Sequence, residues 1–568
     1  MRIPYRSRLD GPQLAGWTPR GKRVEHRVLF ELDVGVPMPD GVVLCGDLYQ
    51  PDTAEPSPAL LGWSPYNKDL MPTGLPAPFN EPGAVGYLAS RGYTVLVAGA
   101  RGTRRSGGVL EPVMHSEGER ADLCSTIAWL AEQDWCDGRI GMTGMSYFAI
   151  SQLVAAGLRP PALRAIFPFG ATTDWYAHGA TQGGTLHSGF LGRYTAINGA
   201  AQRIRLSPAV RHALGYVLGA APAQRLIRRL MAVAIPRLPR MLPAPEPWMR
   251  RWAEYALSGE RHEEASAWPT LEDIDIPVLI GSEWSMVGLH LFGAFEAWHR
   301  ISAPKKMFIG PRWADWPWLR YQEELLAFYD HTLRGADNGY DELPPVRYWL
   351  HAAERWETSS DWPVPDTREW TLRLDGTRLG AAAGDDERTW AAIPVGMEYP
   401  GAFDTFDSQV IGYDTDPMVE NVHLVGPVEL KLPLSSTALD THVQARLSDV
   451  DEQGRAQVLS VGWLAASHRA VDAQRSTATE TVHDHGSPTA LTPGEQVRLR
   501  ISLTPFAQLL QRGHRLRLEL GSDPRTLAAP PEQGFVYFEV AGPPYPARNT
   551  VSHPDATLRL SVRGESPW

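Results

Sequence analysis

Apolar and polar positions change rhythm three times along this chain. Between Val24 and Tyr49 they alternate around a Pro39-Asp40-Gly41 turn, which predicts a β-hairpin. Two short apolar runs follow, Ala59-Leu60-Leu61-Gly62-Trp63 and Tyr93 to Ala98, each ending near Gly or Pro. Such runs predict parallel strands covered on both faces. Glu117 to Gln133 moves to helical spacing, with Leu123, Ile127 and Leu130 on one stripe. Arg139 to Thr143 reads as a strand entering a tight turn, Ser146 to Gly157 as a helix, and Leu163 to Phe169 as a strand. Alternating strands and helices predict a doubly wound α/β sheet.

The second rhythm starts near Tyr176, where helices and loops replace strands until about Ala267. Strand character returns at Ile276 to Gly281 and Lys306 to Gly310, followed by a helix over Tyr321 to Leu333. The third starts after Trp362-Pro363-Val364-Pro365. From there the period is two, as in Val428 to Leu432, His442 to Leu447, Val458 to Leu464 and Val497 to Leu503. Many short strands without a long helix predict a β-sandwich or jelly roll. The expected domains are an α/β unit over 1–175 and 268–365, a helical cap over 176–267, and an all-β unit over 366–568.

Composition narrows the function classes. A net charge of -11 argues against nucleic acid binding by the whole chain. No run of 18 apolar residues occurs, so no transmembrane helix is expected. The segment Met1 to Arg20 lacks the apolar stretch of a signal peptide. Cys45, Cys124 and Cys136 form no CxxC pair and are odd in number, which fits a reduced, cytoplasmic setting. GxGxxG and P-loop motifs are missing, so no nucleotide cofactor is expected. No metal site is expected either, and His483-Asp484-His485 reads as a solvated loop.

The sharpest chemical signal is Gly144-Met145-Ser146-Tyr147-Phe148-Ala149 between a strand and a helix. A nucleophilic serine needs a strained strand-to-helix turn, with small residues two before and usually two after it. Gly144 meets the first condition; Phe148 breaks the second. A serine that merely caps the helix is the competing reading.

Trp129 to Gly141 with Gly144 to Tyr147, Asp40-Gly41-Val42 with Leu48 to Pro51, Ser64 to Lys68, and Phe328 to Gly335 form a set of motifs. In them the chain resembles the cocaine esterase/X-prolyl dipeptidyl aminopeptidase family. In the C-terminal part, Leu447 to Val450, Ala466 to Arg469 and Gly513 to Leu518 also match. The resemblance implies an α/β-hydrolase domain, a helical cap and a C-terminal jelly roll with the active site between them. It also implies that esters or amides are hydrolysed through an acyl-enzyme. The family's nucleophile maps to Ser146, and its oxyanion donors map to the Tyr66 hydroxyl and the Tyr147 backbone N–H.

Two family positions are altered. The acid's "GWYD" motif is Glu283-Trp284-Ser285-Met286 here, and the histidine's "GPWxH" motif is Gly310-Pro311-Arg312-Trp313-Ala314-Asp315. A hydroxyl without a base is a poor nucleophile at neutral pH. Asp315 is a candidate replacement, and Glu283 a weaker one. Trp284, Met286, Trp313, His178 and His187 are candidates for lining the substrate pocket. His178 and His187 stand out because they flank Gly183-Gly184; His115, His290, His299 and His331 read as core or surface histidines.

Between Tyr176 and Pro245 lie arginines 193, 203, 205, 211, 225, 228, 229, 237 and 240, without Asp, Glu or Lys. Such a stripe suits an acidic carrier protein or an anionic surface, or it pairs with the acidic body. Three functions are compatible with all this. The first is an enzyme acting through Ser146 on a small- to mid-sized ester, thioester or amide. The second is a non-hydrolytic catalyst of cyclisation, elimination or isomerisation in the same pocket. The third is a binding protein that has lost catalysis. Homo-oligomerisation stays open.

Overall fold

Apolar runs without a polar face become the middle of a sheet, because only there are both faces kept from water. In the computed structural model, described for residues 3–5, 14–73, 81–111, 113–211, 213, 257–312, 320–394, 409–524, 527 and 540–564, they do so. The strands of this sheet are β1 (Ile3–Tyr5), β2 (Val28–Pro37), β3 (Val43–Pro51), β4 (Ser57–Ser64), β5 (Thr94–Gly99), β6 (Cys136–Met142), β7 (Leu163–Ile166), β8 (Val278–Glu283), β9 (Lys305–Gly310), β10 (Val346–Leu350) and β11 (Arg355–Ser359). Their order is β1-β2-β3-β5-β4-β6-β7-β8-β9-β10-β11. From β5 to β10 every neighbouring pair is parallel; the pairs at both ends are antiparallel. All residues of β4, β5 and β8 are buried.

The helices are α1 (Val85–Ser90), α2 (Glu117–Ala131), α3 (Tyr147–Gly157), α4 (Ser188–Gln202), α5 (Glu260–Ala265), α6 (Leu291–Arg300) and α7 (Gln322–Arg334). Ser116 caps α2 by accepting from the Glu119 N–H, as the Ser-x-x-Glu spacing favours. Helix α7 ends at Gly335, whose left-handed conformation closes its C-terminus. Of the cap, residues 214–256 lie outside the described region. What is described around them is α4, α5 and a short hairpin, Thr181–Gln182 with Thr185–Leu186.

Strands from Thr367 to Arg563 form the second sheet system, a jelly roll with its own leucine-rich core. Four of its strands matter below: β12 (Val422–Ser436), β13 (His442–Val450), β14 (Ala456–Ala465) and β15 (Val497–Leu510). The two units share apolar packing: Val458, Val461, Trp463 and Ala507 belong to the core cluster of the α/β unit. The hairpin turn Gly183-Gly184 packs closely across the seam. A Cβ on Gly183 would stand 2.0 Å from the Trp463 carbonyl oxygen, and one on Gly184 2.6 Å from the His468 ring. Both glycines also have positive φ, so no other residue fits. The Ala465 N–H donates to Gly183 O at 2.8 Å.

Candidate active site

The chain turns from β6 into α3 within four residues, and Ser146 is held there at φ 58°, ψ -120°. A non-glycine residue in that region is strained, and such strain concentrates at functional sites. Gly144, at φ 128°, makes the turn possible, since a Cβ there would stand 2.3 Å from Phe148 Cβ. Phe148 occupies the position where a second small residue is usual. Its ring is accommodated by Gly62 on β4, whose Cβ would lie 3.3 Å from it. The small residue required by the turn has moved to the neighbouring strand.

Ser146 is half-buried and precedes the first turn of α3, but its hydroxyl makes no capping hydrogen bond. None of the described residues bonds it. Its N–H is shared between the carbonyls of Phe169 and Gly170, each at 3.2 Å. The Tyr147 N–H, first in α3, has no acceptor among the described residues, as expected for a helix N-terminus. Tyr66, in the loop after β4, packs its ring 5.8 Å from that of Tyr147 and 6.1 Å from that of Tyr194 on α4. The Tyr66 hydroxyl is in hydrogen-bonding contact with the Tyr194 hydroxyl and the Glu81 carboxyl. The three expected residues Ser146, Tyr66 and Tyr147 are therefore brought together.

Behind them, Glu119 on α2 accepts from Tyr147 Oη at 2.8 and 2.9 Å, Trp63 Nε1 at 2.9 Å and the His115 N–H at 2.8 Å. The His115 ring stacks on Tyr147 at 4.4 Å, and its Nε2 stands 2.9 Å from Ser151 Oγ. This packing holds the Tyr147 side chain and thereby the direction of its backbone N–H.

The remaining expected residues have the following settings. Trp284, 1% exposed, packs on Phe295 and Trp362 and donates from Nε1 to the Trp349 carbonyl at 2.8 Å. Met286, 2% exposed, is equally buried, in the turn before α6. Trp313 and Asp315 lie outside the described residues. Arg312, just before them, reaches into the jelly roll and donates to the carbonyls of Val458 and Leu459 at 2.9 and 3.1 Å. Glu283 closes β8, fully buried, with Ser285 Oγ 3.1 Å from its carboxylate. His178 is buried against the jelly roll, with Nε2 3.0 Å from Glu480 Oε1. His187 precedes α4 with Nδ1 3.1 Å from the Gly179 carbonyl. The expectation that His483-Asp484-His485 is solvated is overturned: both histidines are buried at the seam. His483 Nε2 stands 3.0 Å from the Arg500 carbonyl, and His485 Nδ1 3.0 Å from His468 Nδ1. No group of three His, Cys, Asp or Glu able to hold a metal occurs among the described residues.

His290, which the helical pattern places among bland histidines, has a distinctive setting. It precedes α6, and its ring stands 3.7 Å from where a Gly170 Cβ would be, beside the carbonyl that accepts the Ser146 N–H. Thr172 Oγ1 lies 2.8 Å from the Leu289 carbonyl and 2.8 Å from His290 Nδ1. The hydroxyl has one proton, and the carbonyl can only accept it. The ring must then donate from Nδ1, which leaves the lone pair on Nε2. Burial pushes its imidazolium down to about 3, so the ring is neutral. Neither the histidine spacing nor the family pattern marks this residue, because Thr172 is 118 positions away.

The buried histidines give a pH prediction. Burial pushes His115, His290 and His485 down to about 3, and His187 and His262 to about 4. In the unfolded chain they bind protons below about 6.5. Stability therefore falls as pH drops from about 6.5 towards 4, by up to about 1.4 kcal/mol per group per pH unit. His178 works the other way. Burial opposes its charge, but Glu480, then Glu296 and Asp174, raise it to about 9. Its contribution is complete below about 6.5 and is lost as pH rises to 9. Calorimetry across pH 4–9 should show Tm falling on both sides of about pH 6.5–7. A Tm unchanged from pH 7 to pH 5 would refute the assignment.

The arginine stripe divides. The Arg211 guanidinium is buried against the α/β unit, 2.8 Å from Asp33, 3.0 Å from Asp47 and 3.1 Å from Asp69. Lys68 Nζ joins the same carboxylates, 2.5 Å from Asp33 and 2.8 Å from Asp47. Arg211 is thus committed to the body and unavailable to a partner, whereas Arg203 and Arg205 are exposed. Arginines 225, 228, 229, 237 and 240 lie outside the described residues, as does the side chain of Arg193. No described helix is long and apolar enough to cross a membrane.

Comparison with known proteins places this arrangement. The family model of X-Pro dipeptidyl-peptidase (S15 family) matches residues 40–313. That of the X-Pro dipeptidyl-peptidase C-terminal non-catalytic domain matches residues 338–556. The chain is 27% identical over 558 residues to cocaine esterase of Rhodococcus sp. (strain MB1 Bresler), covering 86% of this chain and 90% of the esterase. Among solved structures, a CocE/NonD family hydrolase from Staphylococcus aureus has a TM-score of 0.74 at 22% identity, covering 94% of each chain. An α-amino acid ester hydrolase has a TM-score of 0.71 at 18% identity, covering 96% of this chain and 98% of its own. At these identities the structural likeness speaks for the fold.

Proposed function

The chain belongs to the X-Pro dipeptidyl-peptidase (S15) family of hydrolases, and on that premise we propose that it cleaves an ester, thioester or amide through an acyl-enzyme on Ser146. One observation carries this reading: a strained serine whose hydroxyl does not cap its helix stands beside a helix N–H without an acceptor among the described residues and a buried tyrosine hydroxyl. The Tyr66 O–H and the Tyr147 N–H would donate to the substrate carbonyl oxygen as negative charge builds on it. Ser146 Oγ bonds to the carbonyl carbon, and the leaving group departs. The serine proton passes through one water to His290 Nε2 and then to the leaving group. A second water, deprotonated by the same nitrogen, releases the acid and returns a proton to Ser146. His290 does not touch Ser146, but a base acts equally across one water. The developing oxyanion is the counter-charge that makes a buried imidazolium tolerable.

The test is intact-mass and peptide analysis after treatment with an alkyl fluorophosphonate. One adduct per chain, on the peptide carrying Ser146, is expected. That no described residue bonds the Ser146 hydroxyl also favours a second reading, a non-hydrolytic step that needs only oxyanion stabilisation. No adduct, together with unreactive p-nitrophenyl esters, would sink the first reading and favour the second.

A further inference from the structure

Glu81 is a buried acid beside the serine that the acyl-transfer scheme leaves idle. Its backbone is tied to the turn: Glu81 O accepts the Met145 N–H at 2.9 Å, and Pro82 O accepts from Thr143 Oγ1 at 3.1 Å. Its side chain cannot swing away, since the residue is only 4% exposed. The carboxyl meets the Tyr66 hydroxyl, which also meets Tyr194. Its Oε2 is buried without a hydrogen-bond partner among the described residues.

Glu119, the other buried acid nearby, makes the contrast. Three donors, Trp63 Nε1, the Tyr147 hydroxyl and the His115 N–H, face its carboxylate and oppose the burial that raises it. Glu81 has no such set, and no Arg, Lys or His among the described residues forms an ion pair with it. An isolated carboxylate in such a place costs more than keeping its proton. Burial accordingly pushes Glu81 well above the usual carboxylate range, against the opposing effect of Tyr66.

The proton on Glu81 decides which way the Tyr66 hydroxyl points. An ionised Glu81 can only accept, so it would draw the Tyr66 proton towards itself and away from the substrate. A protonated Glu81 donates to the Tyr66 oxygen and leaves the Tyr66 proton for the oxyanion. We propose that Glu81 is kept as a neutral carboxylic acid and is the positioning residue of the oxyanion hole, acting through Tyr66. This rests on the reading of Tyr66 as an oxyanion donor. Hydrogen bonds in such a chain also polarise one another, which strengthens the terminal donor.

The experiment compares wild type with Glu81→Gln, Glu81→Ala, Tyr66→Phe and the Glu81→Ala/Tyr66→Phe double variant, each shown to be folded by its near-UV circular dichroism. With p-nitrophenyl butyrate, Tyr66→Phe should lower kcat by about 10²–10³-fold, the effect of losing one oxyanion donor. Glu81→Ala should lower kcat about 10-fold or more at unchanged KM, on the scale of a coupled partner. Glu81→Gln keeps a neutral donor and should restore most of that loss, and the double variant should be no slower than Tyr66→Phe alone. In infrared difference spectra at neutral pH, wild type minus Glu81→Gln should show the C=O stretch of a protonated carboxyl; this readout needs no turnover. Absence of that band overturns the proposal, as does a double variant whose losses multiply or a Gln variant as slow as Ala. If Tyr66→Phe retains full kcat, the assignment of Tyr66 itself has failed, and the proposal falls with it.

Discussion

Replacing Ser146 by alanine should abolish acyl-enzyme formation and lower p-nitrophenyl ester hydrolysis by more than about 10³-fold. The oxyanion donors and the pocket remain, and in known triads such remnants still give about 10³–10⁴-fold catalysis over water. The variant should fold, because the Ser146 hydroxyl does not cap α3 and bonds none of the described residues. Alanine at φ 58° meets the strain that serine already bears. Its melting temperature should therefore stay close to that of wild type. Alanine that hydrolyses the ester at the parental rate would show that Ser146 is not the nucleophile. Alanine that loses the reaction while the fluorophosphonate labels only wild type would leave the acyl-enzyme as the simplest account.

His290→Gln should lower kcat/KM for the same ester by about 10²–10³-fold, within the range for losing a positioned base. Glutamine keeps a polar side chain at the turn before α6 but cannot carry the proton between Ser146 and the leaving group. Thr172→Val tests the tautomer separately. It removes the oxygen that receives the His290 Nδ1–H, 2.8 Å away, and frees the ring to place its proton on Nε2. A loss of about 10-fold is expected from that change, smaller than for His290→Gln, because only the population of the useful tautomer falls. Equal rates for wild type and His290→Gln, with Ser146→Ala still inactive, would transfer the role of base to another group. The candidate then falls outside the described residues, where Asp315 lies.

The two predictions differ in how visible their residues are in the sequence. Ser146 is marked by what surrounds it within a few positions: a strand, Gly144 and a helix. The exception at Phe148 looks damaging in the sequence and is harmless in the fold. Gly62 makes room for the ring, and nothing near Phe148 in the chain announces it. His290 is unremarkable in the sequence, because its meaning depends on Thr172 and Gly170, which come from the other side of β8. The loop His483-Asp484-His485 misleads in the opposite direction. Its polar, glycine-flanked composition suggests solvent, yet the seam with the α/β unit buries both histidines and leaves only Asp484 exposed. Trp284 and Met286 sit where the family pattern places catalytic-loop residues, but their side chains turn into the core.

The sequence by itself determined the doubly wound sheet, the inserted helical region, the all-β C-terminal unit and the tight serine turn between a strand and a helix. These follow from periodicity and from backbone limits that act between near neighbours, so a short window contains them. Only the tertiary structure decided that Ser146 is not a capping serine, that Arg211 is spent on three aspartates, that His290 presents a lone pair, and that Glu81 meets Tyr66 with no counter-charge among the described residues. Protonation and tautomer are set by burial and by hydrogen-bond partners from distant parts of the chain. Residues such as Tyr66, Glu81 and Tyr194 acquire their chemistry when folding removes water from between them.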